Sequence, residues 1–228
     1  LHHALAVLLA VLGPPAAPRD DVHVVEEEVD QARAEVVAAG VAYRGQDPAH
    51  DKGVPGNQWN NTAVAPGDAE PYRRVRIAMT WLLGLPGAPL LYYGDEYGQW
   101  GGADPNNRLM WRAEASLNAD EKATLALVRK LGAARQQIAA LRRGAYVPLF
   151  ATEDTLVFGR KIAAGDAAIV ALTRLGAPQM VTVDAGAMLG FKAGDMLDDA
   201  LGGPSATVTP LGKLSFSIPA SGSVVLAP

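Results

Sequence analysis

The chain has 228 residues, of which 49% are hydrophobic and 19% charged, and its net charge is −4 at pH 7. This balance indicates a globular protein rather than a disordered one, and the lack of a basic surplus argues against a nucleic-acid partner. Because the sequence contains no cysteine, disulfide bonds, thiolate metal sites and cysteine nucleophiles are excluded.

The N-terminal segment, residues 1–12, reads LHHALAVLLAVL. It is too short to cross a bilayer, and it lacks the initiating Met and the preceding Lys or Arg of a signal peptide. We therefore expect a truncated helix in a piece of a longer protein, and no membrane partner. The four histidines, at positions 2, 3, 23 and 50, have no metal-ligand spacing, so neither a metal nor a cofactor is predicted.

Residues 72–83 have apolar side chains at three- to four-residue intervals, which predicts an amphipathic helix. Asp68 is a suitable N-cap, and Pro71 suits the first turn. Residues 88–94 follow as a short, continuously apolar run, which fits a strand buried on both faces. A helix, a turn and a buried strand make one step of an α/β fold, and residues 95–112 then look like a loop.

A second helix is predicted from about residue 119 to residue 143. Asn118 or Asp120 can cap its start, where Glu121 also suits the helix dipole. Arg142, Arg143 and then Gly144 provide the cations and the glycine typical of a helix end.

From residue 146 onwards the apolar pattern alternates, as it does in strands. Several short strands separated by glycine-rich turns predict an antiparallel β-sandwich. The predicted strands cover residues 146–150, 156–162, 168–173, 179–183, 207–209, 214–218 and 223–227. We therefore expect two domains of different class, with α/β residues 1–143 followed by an all-β sandwich over residues 144–228.

Aromatic residues concentrate between positions 59 and 111, which include all four tryptophans and four of the six tyrosines. Residues 92–100, with the sequence YYGDEYGQW, combine aromatic rings with acid and amide groups. Rings can stack on the C–H faces of sugars, and acids and amides can bind hydroxyls. For Tyr92 and Trp81, packing in the core is the favoured interpretation.

Residues 86–98, with the sequence PGAPLLYYGDEYG, closely resemble the eighth barrel strand of the α-amylase family of glycoside hydrolases. Residues 102–111, with the sequence GADPNNRLMW, are similar to the loop after that strand in cyclomaltodextrinase-like members. Residues 141–144 resemble the segment that leads into the C-terminal sandwich domain of this family, and Ile218-Pro219 and the last strand fit that domain. The resemblance extends over about residues 57–228.

The resemblance implies the end of a (β/α)8 catalytic barrel (residues 1–143, with 1–56 poorly matched) and then the sandwich. It also implies a retaining hydrolase or transferase acting on α-linked glucans, which would be the binding partner. The catalytic nucleophile and acid/base of such enzymes have no match here, so no catalytic residue is assigned. His50-Asp51 is a weak match to the third catalytic Asp, because Ala49 replaces the family's Asn.

The residues expected to bind substrate are Tyr93, Glu96, Asp104 and Arg108. Asp104 and Arg108 could lie side by side in their loop, and their resemblance to sugar-binding residues of cyclomaltodextrinase-like members supports this role; a plain surface ion pair is the alternative. Asp95 and Glu96 are not expected to act together in catalysis, since adjacent residues on an extended segment point apart. A non-catalytic carbohydrate-binding or scaffold module is the alternative to an enzyme fragment.

Overall fold

The computed structural model describes residues 66–101, 108–163 and 165–228. Antiparallel sheets dominate these residues, with a few helices before and between the strands. The α-helices are α1 (Glu70–Gly84), α2 (Ala119–Gln137), α3 (Ala139–Arg143) and α4 (Ala185–Leu189). The strands are β1 (Ala145–Ala151), β2 (Thr155–Lys161), β3 (Ala167–Thr173), β4 (Gln179–Asp184), β5 (Met196–Asp199), β6 (Ala206–Thr207), β7 (Lys213–Ile218) and β8 (Ser223–Ala227).

The strands form two sheets that pack face to face. The larger sheet has the order β1-β2-β3-β8-β5-β6, and the smaller one pairs β4 with β7. All of these pairings are antiparallel. The sandwich predicted from the alternating pattern is therefore confirmed.

The centre of the larger sheet is buried on both of its faces. Successive side chains of a strand point to opposite faces, and in β2 both sets are buried. Leu156 and Phe158 join a cluster with residues of α1 and α2, whereas Val157 between them packs with residues of β4 and β7. In β3, Val170 likewise packs in the cluster with α1 and α2, and Ile169 packs in the cluster with β4 and β7. The structure thus has three layers, with helices on one face of the large sheet and the small sheet on the other.

Helix α1 begins close to the predicted position. The structure places its N-cap at Ala69, and Asp68 instead accepts a hydrogen bond of 2.8 Å from the backbone N–H of Glu70. The cap predicted for α2 is confirmed: Asn118 accepts from the backbone of Glu121 while the Glu121 side chain accepts from the backbone of Asn118. The two helices contact each other and cover the large sheet.

The single long helix predicted to reach residue 143 is wrong. Its helical backbone is interrupted at Ile138, which has an extended conformation with φ of −86° and ψ of 106°. The backbone N–H of Ala140, just after the break, donates a hydrogen bond of 2.8 Å to the carboxylate of Asp166. The break turns the chain from α2 into the short helix α3 and so towards β1.

The strand predicted at residues 88–94 is also wrong, because these residues form no ladder in the structure. Leu90 is 85% exposed and Tyr92 is 53% exposed. A strand exists only where a neighbour takes up its backbone hydrogen bonds, and no strand among the described residues lies beside this segment. The apolar run shows that this segment could form a strand, but it does not show which neighbouring strand would take up the backbone hydrogen bonds.

Two further elements were absent from the prediction, namely β5 and α4. The strand β5 has only four residues, two of them acidic, so its alternation is too short to recognise. It nevertheless pairs with β8 on one side and β6 on the other. Asp184 starts α4 by accepting a hydrogen bond of 3.0 Å from the backbone of Ala187.

Arginine side chains bind the carbonyl groups where α1 ends. Arg160 is fully buried and donates to the carbonyls of Gly84 at 2.5 Å and of Gly144 at 2.6 Å. Arg135 of α2 donates to Leu83 at 2.7 Å, and it also reaches carbonyls in the following turn and in α3. The last carbonyls of a helix have no partner within it, so these guanidinium groups act as its cap.

The burial of Arg160 has an electrostatic cost. Desolvation, together with the nearby charge of Arg135, lowers the pKa of Arg160 to about 10. The charge is held by its hydrogen bonds to carbonyl oxygens at the ends of two elements, α1 and α3. Arg160 therefore fastens the helical layer to β2.

The expected domain boundary at residues 143 and 144 falls between α3 and β1. The helices before it and the strands after it bury their apolar side chains in one shared cluster. The division into two domains remains a prediction, and any independent folding of residues 144–228 would have to expose one face of β2 and β3.

Replacing Arg160 with Met tests the fastening of the helical layer. We expect the free energy of unfolding to fall by about 1–3 kcal/mol, because buried carbonyls at Gly84 and Gly144 lose their donor. Urea denaturation followed by circular dichroism measures this change. Arg143→Met, at an exposed position of α3, is the control and should have little effect. Unchanged or increased stability of Arg160→Met would show that desolvation of the guanidinium outweighs its hydrogen bonds.

Candidate functional site

The segment richest in aromatic and acidic groups folds into a tight turn. Asp95–Tyr97 form one turn of 3₁₀ helix between two glycines in the left-handed conformation, Gly94 with φ of 89° and Gly98 with φ of 73°. The backbone N–H of Gln99 donates to the carbonyl of Gly94 at 2.8 Å and closes the turn. Left-handed backbone favours glycine, which gives the spacing of these two glycines a physical reason.

Gly94 is also restricted by space. A Cβ atom at this position would lie 2.8 Å from the Cβ of Gln99 and 2.9 Å from its Oε1. The Gln99 amide is itself fixed, since its Nε2 donates to the carbonyl of Leu109 at 2.7 Å. The turn is therefore tied to the segment that comes after residues 102–107.

Glu96 lies at the centre of this arrangement. Its Oε2 accepts from the backbone N–H of Gly94 at 2.7 Å, and its Oε1 accepts from the indole N–H of Trp111 at 2.7 Å. Glu96 thus joins the backbone next to Tyr93 to the ring of Trp111. Each carboxylate oxygen can accept a further hydrogen bond, so a ligand hydroxyl could still bind there.

Tyr97 connects the turn to the segment around Arg112. Its ring is fully buried, and its hydroxyl donates to Gln99 while accepting from the backbone N–H of Arg112 at 3.0 Å. Trp111 meets the Tyr97 ring edge to face, with ring centroids 6.4 Å apart. The orientation of Trp111 therefore depends on both Glu96 and Tyr97.

The guanidinium of Arg112 connects the turn to helix α2. Its carbon lies 5.4 Å from the ring centroid of Tyr97 and 5.8 Å from that of Trp100. Its Nη2 donates to Oε1 of Glu121, whose side chain is only 1% exposed. Desolvation lowers the pKa of Arg112, but the hydrogen bond to Glu121 and the negative charge of Glu121 raise it. The pKa of Arg112 therefore lies above its ordinary value. This ion pair anchors the loop in the first turn of α2.

Three aromatic side chains, Tyr92, Tyr93 and Trp111, are exposed to solvent. We call these three residues the aromatic surface. They are 53%, 42% and 56% exposed. The Tyr92 and Tyr93 ring centroids are 4.5 Å apart, and the planes are inclined by 38°. A hydrogen bond with Tyr92 raises the pKa of Tyr93, while the charge of Arg108 acts in the opposite direction. The side chain of Arg108 is exposed.

The structure brings together two of the four residues expected to bind substrate. Tyr93 and Glu96 belong to the same turn, whereas the charge of Arg108 only acts to lower the pKa of Tyr93. Asp104, like Asp51, lies outside the described residues. Whether any of these side chains binds a substrate stays a prediction.

Two expectations about neighbouring side chains need correction. Trp81 is 2% exposed and packs in the core as expected, but Tyr92 is largely exposed, because no sheet among the described residues covers residues 88–94. Asp95 and Glu96 lie in a 3₁₀ turn rather than on an extended segment. They still differ in environment, since Asp95 is 6% exposed and Glu96 is half-buried.

Neither a metal site nor a membrane-spanning helix is found in the described ranges. No group of three or more His, Cys, Asp and Glu side chains there is arranged to hold a metal ion. None of the helices in those ranges combines the length and apolar character needed to cross a membrane.

Comparison with known proteins gives relatives of one kind, although no family model matches the chain. An amylopullulanase from Thermoanaerobacterium saccharolyticum is 28% identical over 166 residues, covering 68% of this chain and 12% of that enzyme. A cyclomaltodextrin glucanotransferase from Klebsiella oxytoca is 31% identical over 131 residues, covering 53% and 19%. The crystal structure of an Anoxybacillus α-amylase matches with a TM-score of 0.57 and 28% identity, covering 69% of this chain and 33% of that one.

The chain is a relative of the α-amylase family. It matches the C-terminal region of these enzymes, as the sequence motifs implied. It spans well under two thirds of the length of each relative, at 12%, 19% and 33%. Most of the length of each relative therefore lies outside the matched region.

Sequence reasoning missed Arg112 and Trp111 as members of the site, and it assigned Glu121 only to a helix start. The Asn-to-Glu spacing at residues 118–121 is a recognisable capping box. No sequence signal pairs Glu121 with an arginine nine residues earlier, since that contact depends on how the loop returns to α2.

Replacing Gly94 with Ala tests whether the turn needs a left-handed glycine. We expect a loss of about 1–2 kcal/mol from the backbone conformation alone, with a further loss from contact with Gln99. Thermal unfolding measures the loss, and Gly67→Ala, where a Cβ would meet open space, is the control. Equal stability of the two variants would contradict the geometry of the turn.

Proposed function

We propose that this chain is the C-terminal portion of an α-amylase-type glycoside hydrolase that acts on α-glucans or maltooligosaccharides. The aromatic surface is the observation that carries the proposal. It places exposed rings beside a carboxylate, Glu96, which suits a ligand with apolar C–H faces and many hydroxyl groups. The names of the relatives, amylopullulanase and cyclomaltodextrin glucanotransferase, support the same class of substrate.

The chemistry available at this surface is binding rather than bond cleavage. A retaining glycosidase needs a nucleophile and an acid/base on opposite sides of one glycosidic bond. Asp95 is buried and Glu96 is held by Gly94 and Trp111, so the two neighbouring acids are not placed as such a pair. We therefore propose that the chain alone lacks the catalytic residues and contributes to substrate binding.

A non-catalytic carbohydrate-binding module is the second candidate. An exposed aromatic surface beside a β-sandwich would be sufficient for it. The two candidates predict different results when the chain is joined to the upstream part of a related enzyme. An enzyme portion completes an active site, whereas a module only increases affinity for the polymer.

Purified chain should release no sugar from maltotriose and no aryl group from an aryl α-glucoside. Loss of the nucleophile and acid/base removes most of the rate enhancement of an enzyme. Chromatography of the products and absorbance of the released aryl group measure this. Turnover that Asp51→Asn abolishes would overturn the proposal and assign Asp51 to catalysis.

Binding to maltoheptaose, measured by isothermal titration calorimetry, should depend on the aromatic surface and on its charged neighbours. We expect Trp111→Ala and Tyr93→Ala to weaken binding by about 1–3 kcal/mol, the range for a lost hydrogen-bonding partner. Met110→Ala is the matched control, since this side chain is 84% exposed next to Trp111. Equal losses in all three variants would remove the aromatic surface from the proposed function.

Asp104→Ala and Arg108→Ala test the proposed sugar contacts in the same titration. If the two side chains bind hydroxyls of one glucose unit, they should weaken maltoheptaose binding by about 1–3 kcal/mol and maltotriose binding less. Small, equal effects on both ligands together with a lowered Tm would indicate that Asp104 and Arg108 form only a surface ion pair and do not bind the sugar.

A further inference from the structure

We propose that Arg112 and Glu121 form a positioning pair that holds the aromatic surface in the arrangement needed to bind an α-glucan. The sugar-binding half of this inference rests on the proposed function, whereas the structural half concerns the orientation of Trp111. Neither residue belongs to the aromatic surface itself. Both act through the residues that they hold.

Arg112 touches the supporting residues from two sides. Its guanidinium lies over the rings of Tyr97 and Trp100, and its backbone N–H donates to the hydroxyl of Tyr97. Trp111 precedes Arg112 directly in the chain and packs its own ring against Tyr97. A change in the position of Arg112 therefore moves Trp111 through the backbone and through Tyr97.

Glu121 fixes the other end of the pair. Its side chain is almost completely buried, and its Oε2 accepts from the backbone N–H of Asn118 at 2.9 Å as part of the capping box. Asn118 in turn donates to the hydroxyl of Tyr72 on α1 at 3.3 Å. The carboxylate that receives Arg112 is thus part of the rigid helical layer. A buried carboxylate needs a cation or several donors, so removing Arg112 leaves a charge that the site must accommodate by moving.

The planar guanidinium suits this place better than an ammonium group. It can lie over two aromatic rings while one of its edges meets the carboxylate. A lysine could preserve the ion pair but not both ring contacts. Arg112→Lys therefore separates the ion pair from the contacts with Tyr97 and Trp100.

A second ion pair on the same helix provides a matched control. Arg129 donates to both carboxylate oxygens of Glu114, at 3.2 Å and 2.7 Å, but both side chains are more than half exposed. Each pair joins the segment before α2 to α2 itself. Of these two pairs, only the Arg112 pair touches residues that support the aromatic surface.

The variants are Arg112→Gln, Arg112→Lys and Glu121→Gln, with Glu114→Gln and Arg129→Gln as controls. Glutamine at position 121 can still complete the capping box, so this change removes the charge and keeps the helix start. Circular dichroism checks that each variant is folded. The first readout is the ¹⁹F NMR signal of Trp111 in chain containing 5-fluorotryptophan, assigned with Trp111→Phe. The second is the affinity for maltoheptaose.

We expect Arg112→Gln and Glu121→Gln to shift or broaden the Trp111 signal and to weaken binding about tenfold. The double variant should lose little more than either single one, because both remove the same interaction. Arg112→Lys should recover part of the affinity. The controls should leave both readouts unchanged.

An unmoved Trp111 signal in Arg112→Gln would overturn the inference even if the sugar binds. A moved signal with unchanged affinity would overturn it as well, since the pair would then orient Trp111 without any effect on the ligand. If the wild-type chain binds no maltoheptaose, the proposed function fails and the sugar-binding half fails with it. The NMR signals then decide whether the pair positions Trp111.

Discussion

Burial of the large sheet on both of its faces is the constraint on which the rest of the structure depends. β2 and β3 carry bulky apolar side chains at successive positions, so each face of the sheet must be covered. The β4–β7 pair covers one face, and helices α1 and α2 cover the other. The helical residues before the sandwich are therefore part of its core.

This constraint explains why a charged side chain, Arg160, is buried at the junction between the helices and the sheet. Covering the sheet brings the carboxyl end of α1 against β2 and β3 and buries Gly84. Arg160 donates to Gly84 there, and Arg135 reaches the neighbouring carbonyls. The depressed pKa of Arg160 reflects the cost of this solution. The same arginines fix where the chain leaves α1 and so where residues 88–94 begin.

The candidate site is supported from the opposite end of the helical layer. The amino end of α2 provides the buried carboxylate of Glu121, which holds Arg112 and through it the loop that carries Trp111. Glu96 then links Trp111 to the turn after Tyr93. The exposed ring of Trp111 thus donates a hydrogen bond to the turn, and Tyr92 and Tyr93 lie directly before the left-handed Gly94.

The sequence by itself determined most elements of the fold. Alternating apolar residues after position 146 identified seven of the eight strands in the described ranges, and the candidate caps Asn118 and Asp120 identified the start of α2. These features are local, since each depends on residues a few positions apart. Only the tertiary structure decided which acid meets which cation, as with Glu121 and Arg112, or which strand has a neighbour. The apolar run at residues 88–94 shows the difference most clearly, because its composition suits a buried strand and yet a strand requires partners that no local pattern can supply.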